Sequence, residues 1–293
     1  MMNKYFRESL DFLLFSNLFI ALCAVAQGLV TYQLLNIEPE KHVLALLFCA
    51  TLAQYNFSIL LSKPKEPLKS PFRRVHWIFS HYRLMITLTM IAVLSCIPLL
   101  FFLSLTSQIL LVFLGIISVG YSLPIFSFHD KKFGLRNIPG VKLFLISLVW
   151  SLSVVLLPIL EIEGQHLLSI STRDTILLIA KRFLFIAAIT VPFDIRDLFQ
   201  DRSSALKTIP VLIGEKRAYI VCQALLLAYL VLLFLFTKNF DSSFFALTAT
   251  ILLSGWLIFR SNFKKNEYYY FLYLDGTMIV QFLMLMIFSW IPV

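Results

Sequence analysis

The chain has 293 residues, of which 59% are hydrophobic and only 14% are charged, and its mean hydropathy is +0.86. A water-soluble domain needs roughly 25% charged residues, so this composition excludes a soluble globular protein and indicates an integral membrane protein. The net charge of +9 does not indicate a nucleic-acid partner here, because basic loops orient a membrane protein in the bilayer. The four cysteines lie inside apolar runs without metal-ligand spacing, so we predict no disulfide framework.

Nine apolar segments are each long enough to cross the hydrocarbon layer, which takes roughly 20 helical residues. They lie at about residues 10–33, 42–62, 84–104, 107–126, 139–160, 174–193, 218–237, 243–259 and 268–290. The sequence therefore predicts an all-α polytopic membrane protein with nine transmembrane helices. The length suits a single domain covering residues 1–293.

The basic residues are distributed unevenly between the two sides of this predicted bundle. Twenty Lys and Arg residues lie on one set of loops and only three lie on the opposite set. Because cytoplasmic loops carry the excess of Lys and Arg, we expect the N-terminus in the cytoplasm and the C-terminus outside. The expected location is the inner or plasma membrane.

The second span ends in TLAQYNFSILLSKPKEP, in which Asn56 is followed by no acidic residue until Glu66. Six cations follow between residues 63 and 83, namely Lys63, Lys65, Lys69, Arg73, Arg74 and Arg83. Such a loop usually reflects topology and attraction to anionic lipid. The alternative is that its lysines and arginines bind a phosphate group directly.

The fourth span is followed by YSLPIFSFHDKKFGLRNIPGVKLFLISLVW. Pro124 lacks a backbone donor and is expected to end the helix. The hydroxyl groups of Tyr121 and Ser122 would then lie near the mouth of the bundle. A basic loop containing Arg136 follows them.

The sixth span ends in DIRDLFQDRSSALKTIPVLIG, which contains Asp194, Asp197 and Asp201. Spacings of three and four residues place these carboxylates on one face if the helix continues. Clustered carboxylates repel each other unless a cation lies between them, and hard oxygen ligands suit Mg²⁺ shared with a phosphate. Lys207 follows closely enough to contact outer phosphate oxygens. The alternative is a solvated loop between two helices.

The pattern D-I-x-D-x-x-x-D-R followed by K-T-x-P-V-x-x-G resembles the second aspartate-rich motif of the UbiA superfamily of intramembrane prenyltransferases. Tyr-Ser-x-Pro, the basic loop with Arg136-Asn137, and Trp150 on the next helix resemble a second region of that family. The resemblance implies one helical bundle around a central cavity. It also implies an enzyme that moves a prenyl chain from its diphosphate to an aromatic or lipid acceptor, with Mg²⁺.

The resemblance assigns roles to individual residues. Asp194, Asp197 and Asp201 would hold Mg²⁺ and act in catalysis, and the diphosphate would be positioned by Asn56, Tyr121, Ser122, Arg136 and Lys207. The family's first aspartate-rich motif departs from the pattern here, because Leu60 and Pro64 stand where aspartates are expected. Lys63 and Lys65 are candidates for supplying charge to the diphosphate instead. Asn56 could also be a polar tie between helices.

Two alternatives remain open at this point. The damaged first motif favours a UbiA-fold protein that only binds isoprenoids or quinones. Charges inside spans, such as Asp275, favour a transporter, although the sequence shows no repeat symmetry. The expected partners are a prenyl diphosphate, a hydrophobic acceptor and membrane lipid, with no nucleic acid.

Overall fold

The structure is a computed structural model that describes residues 4–290, with gaps. The residues outside the description are 65, 71, 124, 125, 129, 130, 134, 136, 137, 139, 166, 168, 199–207, 238, 263 and 264. For residues 126–128 and 131–133 it describes the backbone alone.

Thirteen α-helices make up most of this described part. They are α1 (Lys4–Phe15), α2 (Leu18–Leu35), α3 (Lys41–Leu61), α4 (Arg73–Ser80), α5 (Tyr82–Leu100), α6 (Leu105–Ser122), α7 (Val141–Ser151), α8 (Leu157–Gly164), α9 (Thr172–Arg196), α10 (Ile209–Ile213), α11 (Glu215–Phe236), α12 (Ser242–Arg260) and α13 (Thr277–Ser289). A π-helical segment, Leu152–Leu156, joins α7 to α8, and another, Tyr269–Leu274, precedes α13. Strands β1 (Phe126–Phe128) and β2 (Lys131–Phe133) form a short antiparallel hairpin.

Nine helical segments of the described part are long and apolar enough to cross a membrane. They are Leu18–Leu35, Lys41–Leu61, Tyr82–Leu100, Leu105–Ser122, Val141–Gly164, Thr172–Arg196, Glu215–Phe236, Ser242–Arg260 and Tyr269–Ser289. Helices satisfy all their backbone groups internally, which hydrocarbon demands. The predicted all-α membrane fold with nine spans is confirmed.

The first span differs from its predicted boundaries of about 10–33. The helix is interrupted at Asn17, which has a left-handed backbone conformation with a φ of 67°. Helix α1 is therefore separate, and the span begins at Leu18. Asparagine tolerates this conformation better than most residues do. The hydropathy of the run does not reveal the break, because leucine and phenylalanine continue on both sides of it.

The spanning helices form a closed ring. Helix α2 packs against α3 and α13, and the ring continues from α3 through α6, α7, α9, α11 and α12 back to α13. Helix α5 packs outside this ring against α3. We call the end at which α3, α6, α9 and α12 terminate, and at which α2 begins, the charged end.

A buried polar network ties the ring together far from the charged end. The guanidinium of Arg182 donates to the side-chain oxygens of Gln27 and Gln281, and the Arg182 side chain is almost fully buried. Gln27 also donates to the backbone oxygen of Met278 at 2.8 Å. Amide oxygens therefore offset the cost of placing this cation inside a span.

Candidate active site

The sixth span carries two of the predicted aspartates to the charged end. Asp194 lies two residues before the end of α9 and is 2% exposed, and Asp197 is the residue that caps the helix. Asp201 lies outside the described residues. The carboxylates are therefore held at the junction between the hydrocarbon-length helix and the following loop.

Asp194 and Asp197 are each paired with a cation. Lys142 Nζ on α7 lies 2.5 Å from Asp194 Oδ1. Arg196 donates to Asp197 through Nε at 2.8 Å and Nη2 at 2.9 Å, a bidentate pair. Among the described residues, no group of three or more His, Cys, Asp or Glu side chains is arranged to hold a metal ion.

A chain of two cavities starts beside Asp197 and runs between α3, α6 and α7. The first has a volume of about 430 Å³. It is lined by Asp197 and Arg74, by polar residues that include Tyr121, Gln54 and Ser58, and by apolar residues. The second has a volume of about 180 Å³ and is lined mainly by aliphatic side chains and Gly115. Both are lined by Tyr55 and Trp150, whose rings meet edge to face at 6.4 Å, so the two cavities adjoin.

A third cavity, of about 170 Å³, lies beside Asp194. It is lined by charged and polar side chains together with aromatic ones, including Asn17, Tyr55, Arg74, Lys142, Asp275 and Phe271. Tyr55 and Arg74 also line the first cavity. The two aspartates of the motif therefore face different cavities, which share a wall.

Asn56 is fully buried next to Tyr55, which lines both cavities, but it lines neither of them itself. Its Oδ1 accepts a hydrogen bond of 2.6 Å from Nδ2 of Asn17, and its Nδ2 is buried without a partner. Asn17 Oδ1 in turn accepts from Nη2 of Arg74 at 2.6 Å. The asparagine is thus both a tie between α2 and α3 and part of a chain that leads to a cation.

Two other predicted diphosphate residues are near the first cavity. Tyr121 lines it, and Ser122 is buried, accepts from Nε2 of Gln54 at 3.1 Å and donates to the backbone oxygen of Ser118. Lys63 instead lies over the rings of Phe79 and Tyr82, at 5.9 and 5.4 Å from their centroids. Lys65, Arg136 and Lys207 lie outside the described residues.

Several residues of this site were not among the sequence-based candidates, namely Asn17, Tyr55, Arg74, Lys142 and Glu267. The sequence indicates Arg74 as one of six loop cations that are either a topology signal or phosphate-binding, and Lys142 as a topology signal. One signal was available for Asn17, since it is a lone amide inside an apolar run. The others are brought together by contacts between residues far apart in the chain.

Burial changes the ionisation of two groups outside the spans. Desolvation, with the nearby guanidinium of Arg196, lowers the pKa of Arg74 to about 10. Desolvation raises the pKa of Glu267, although the hydrogen bond from the backbone N–H of Arg74 and the charges of both arginines oppose the shift. Arg74 therefore remains a cation at neutral pH.

The fold and site define an intramembrane helical bundle with acidic and basic side chains at one mouth of an apolar interior. The model of the UbiA prenyltransferase family matches residues 78–269, and the chain belongs to this family. A comparison with curated protein sequences finds no significant match.

Solved structures of UbiA homologues share the fold. A homologue from Archaeoglobus fulgidus bound to GPP and Mg²⁺ is 12% identical, with a TM-score of 0.67, 96% of this chain covered and 100% of that chain. A homologue from the same organism bound to DMAPP and Mg²⁺ is 13% identical, with a TM-score of 0.64. The match covers 96% of this chain and 100% of that chain. The apo homologue from Aeropyrum pernix K1 is 16% identical, with a TM-score of 0.62. The match covers 95% of this chain and 96% of that chain. The family expected from the two motifs is confirmed.

Proposed function

We propose that this protein transfers a prenyl chain from an isoprenoid diphosphate to an aromatic or lipid acceptor within the membrane. The observation that carries the proposal is the position of Asp197 and Arg74 in the first of two adjoining cavities, of which the second is lined mainly by apolar side chains. A diphosphate needs charged partners and its prenyl tail needs hydrocarbon, and this site offers the two side by side. The GPP and DMAPP complexes of the A. fulgidus homologue support the same substrate class.

We propose that the carboxylates at the mouth bind Mg²⁺. Carboxylate oxygens are the ligands that Mg²⁺ prefers, and Asp194, Asp197 and Asp201 would hold it. When bound, the ion supplies electrophilic stabilisation of the leaving diphosphate. Lys142 and Arg196 already balance the charges of two of these aspartates, so we expect Mg²⁺ to bind more tightly once a diphosphate adds negative charge.

The other residues would bind and orient the substrate. We propose that Tyr121 and Ser122 contact the diphosphate, together with Arg136 and Lys207. The aromatic rings of Tyr55 and Trp150 lie along the path that the tail would take. The faces of aromatic rings stabilise the allylic prenyl cation that develops as the diphosphate leaves. An apolar cavity excludes the water that would otherwise capture this cation. As the bond between prenyl C1 and the diphosphate oxygen breaks and the diphosphate leaves with the electron pair, the electron-rich acceptor forms a new bond to C1 and loses a proton.

The test is a transfer assay with the purified protein in lipid nanodiscs. Radiolabelled prenyl diphosphates are incubated with Mg²⁺ and a panel of aromatic and lipid acceptors, and labelled lipophilic product is counted. Asp194→Asn and Asp197→Asn should lower transfer on the order of 10²-fold, because they remove charge that acts on the leaving group. Asp241→Asn is the matched control, since Asp241 caps α12 away from the site. Equal activity in all four proteins would contradict the assigned roles.

A second candidate is a UbiA-fold protein that binds isoprenoids without turnover. Leu60 and Pro64 at the first-motif positions, together with ion-paired Asp194 and Asp197, favour it. Prenyl diphosphate binding with no product from any acceptor would support this candidate over the transferase.

A further inference from the structure

A fourth cavity lies at the end of the bundle opposite the charged end. It has a volume of about 310 Å³ and is found where α2 and α11 end and α9 begins. Its wall combines leucine and phenylalanine side chains with one cation and one anion, Lys181 and Asp174. None of its lining residues lines any of the other three cavities. The fourth cavity is therefore separate from the candidate active site.

Lys181 is a cation inside a membrane span. It lies in the third turn of α9, which begins at Thr172, and a lysine at such a depth is costly unless its charge finds a partner. Among the described residues no carboxylate forms an ion pair with it, although the charge of Asp174 acts on it from further away. The next residue, Arg182, is also a cation, and its hydrogen bonds go to neutral amides. Positive charge is therefore in excess beside the cavity, which favours an anion there.

One face of α9 carries both charges of the cavity in a fixed order. Asp174, Leu177, Leu178 and Lys181 all line the cavity, and spacings of three and four residues place them on the same face of the helix. Asp174 is exposed in the first turn, whereas Lys181 is half-buried about 10 Å deeper along the axis. The flexible stem of a lysine lets its ammonium reach toward the membrane surface. The cavity thus presents a carboxylate near the surface and an ammonium below it.

This order of charges is complementary to a zwitterionic phospholipid headgroup. In phosphatidylethanolamine the ammonium lies outermost, the phosphate lies below it, and the acyl chains point toward the membrane centre. The phosphate would meet Lys181 and the hydroxyl of Ser169, which also lines the cavity, and the ammonium would meet Asp174. Phe236 forms part of the apolar wall, and the preceding residue, Leu235, is 64% exposed on the lipid-facing side of α11. An acyl chain can therefore continue from the cavity along an apolar surface.

We propose that the fourth cavity binds one phospholipid with a phosphoethanolamine headgroup, whose phosphate pairs with Lys181 and whose ammonium pairs with Asp174. A choline headgroup has no N–H to donate to the carboxylate. A glycerol headgroup brings a phosphate but no cation, so it leaves Asp174 unpaired beside another anion. The bound lipid joins the ends of α2, α9 and α11, and it stabilises the folded protein by mass action. The inference is independent of the proposed function, because the lipid takes part in no step of prenyl transfer.

The test counts lipids on the full-length protein by native mass spectrometry. Phosphatidylethanolamine, phosphatidylcholine and phosphatidylglycerol with identical acyl chains are titrated into delipidated protein in detergent, singly and as an equimolar mixture. We expect the wild type to retain one phosphatidylethanolamine in preference to the other two lipids. Lys181→Gln should bind it about ten- to a hundred-fold more weakly, as expected for the loss of one charge-assisted contact. Asp174→Asn should lose the preference for phosphatidylethanolamine over phosphatidylcholine.

Two further variants separate lipid binding from folding. Lys41→Gln removes an exposed cation at the same end of the bundle that does not line the cavity, and it should bind like the wild type. Ser169→Phe adds bulk at an exposed position of the cavity without changing a charge, and it should lose the lipid. Thermal unfolding of each variant verifies its fold.

Three results would overturn the proposal: equal retention of all three lipids, a preference for phosphatidylglycerol, or wild-type affinity in Lys181→Gln. Soluble glycerophosphoethanolamine should not displace the lipid, because it lacks the acyl chains, and displacement at equal concentration would make the ligand a soluble phosphate ester instead. Prenyl transfer is not measured in any arm, so the failure of this proposal and the failure of the proposed function are distinguishable.

Discussion

At the residue scale, Lys142 and Asp194 form an ion pair between α7 and α9 in which the carboxylate is buried and the ammonium is partly exposed. The side chains are 24% and 3% exposed, and the contact is 2.5 Å. Removing one partner of such a pair leaves a buried charge uncompensated, whereas removing both avoids that penalty. The pair therefore has a structural consequence that is separable from any role in catalysis.

We predict that Lys142→Gln alone destabilises the protein by about 3–5 kcal/mol, the usual cost of breaking a buried pair. The double variant Lys142→Gln/Asp194→Asn should recover much of that loss. Thermal unfolding in detergent, followed by tryptophan fluorescence, measures both. Lys4→Gln is the control, because Lys4 and Glu8 form an exposed pair at 4.0 Å, and it should leave unfolding unchanged. Equal stability of Lys142→Gln and the parent would contradict this prediction.

At the scale of elements, α6 has one face toward lipid and one toward the cavities. Val112 and Ile116 are 64% and 68% exposed, whereas Leu111, Gly115 and Ser118 line the second cavity. A Cβ added at Gly115 would meet no atom within 4 Å. Gly115 is itself exposed, so a larger side chain fits at this edge of the cavity without strain in the helix.

We predict that Gly115→Leu shortens the prenyl chain that the protein accepts. Binding of geranylgeranyl diphosphate should weaken more than binding of dimethylallyl diphosphate, because only the longer tail reaches the second cavity. Titration of both ligands into nanodiscs measures the difference. Ile116→Phe adds comparable bulk on the lipid face of the same helix and should change neither. An unchanged preference in Gly115→Leu would place the tail elsewhere.

At the scale of the whole molecule, the odd number of spans in the described part of the chain predicts that the two chain ends lie on opposite sides of the membrane. Arg74, Lys142, Arg196 and most other cations lie at the charged end, where the helices reverse direction. The positive-inside rule assigns this end to the cytoplasm. Substrate diphosphate and Mg²⁺ would then reach the site from the cytoplasmic side.

We predict that green fluorescent protein fused after Val293 is dark when the protein is exported through the Sec pathway, whereas a fusion after Lys265 fluoresces. The two sites flank the last span, so they should lie on opposite sides. Alkaline phosphatase fusions at the same positions should show the reverse pattern. Fluorescence after Val293 would overturn the orientation.

Much of the fold could be predicted from the sequence, because hydrocarbon admits few structures. Each backbone donor must be satisfied within its own helix, so apolar segments of sufficient length indicate spans directly. The prediction was less accurate at Asn17, where a single left-handed residue divides an apolar run. The Asp194–Asp197 pair was also found from sequence, because its members are three residues apart and both fall within one motif.

The sequence by itself determined the class of fold, the number of spans, the family and the position of the acidic motif, since each depends on residues close together in the chain. Only the tertiary structure decided which loop cation faces the cavities. Arg73 and Arg74 are adjacent, yet one bonds a residue 62 positions away in α1 and the other bonds residues 57 and 193 positions away. The direction of each side chain depends on how α4 packs between α1 and the last span, and that packing is a long-range contact which local composition does not encode.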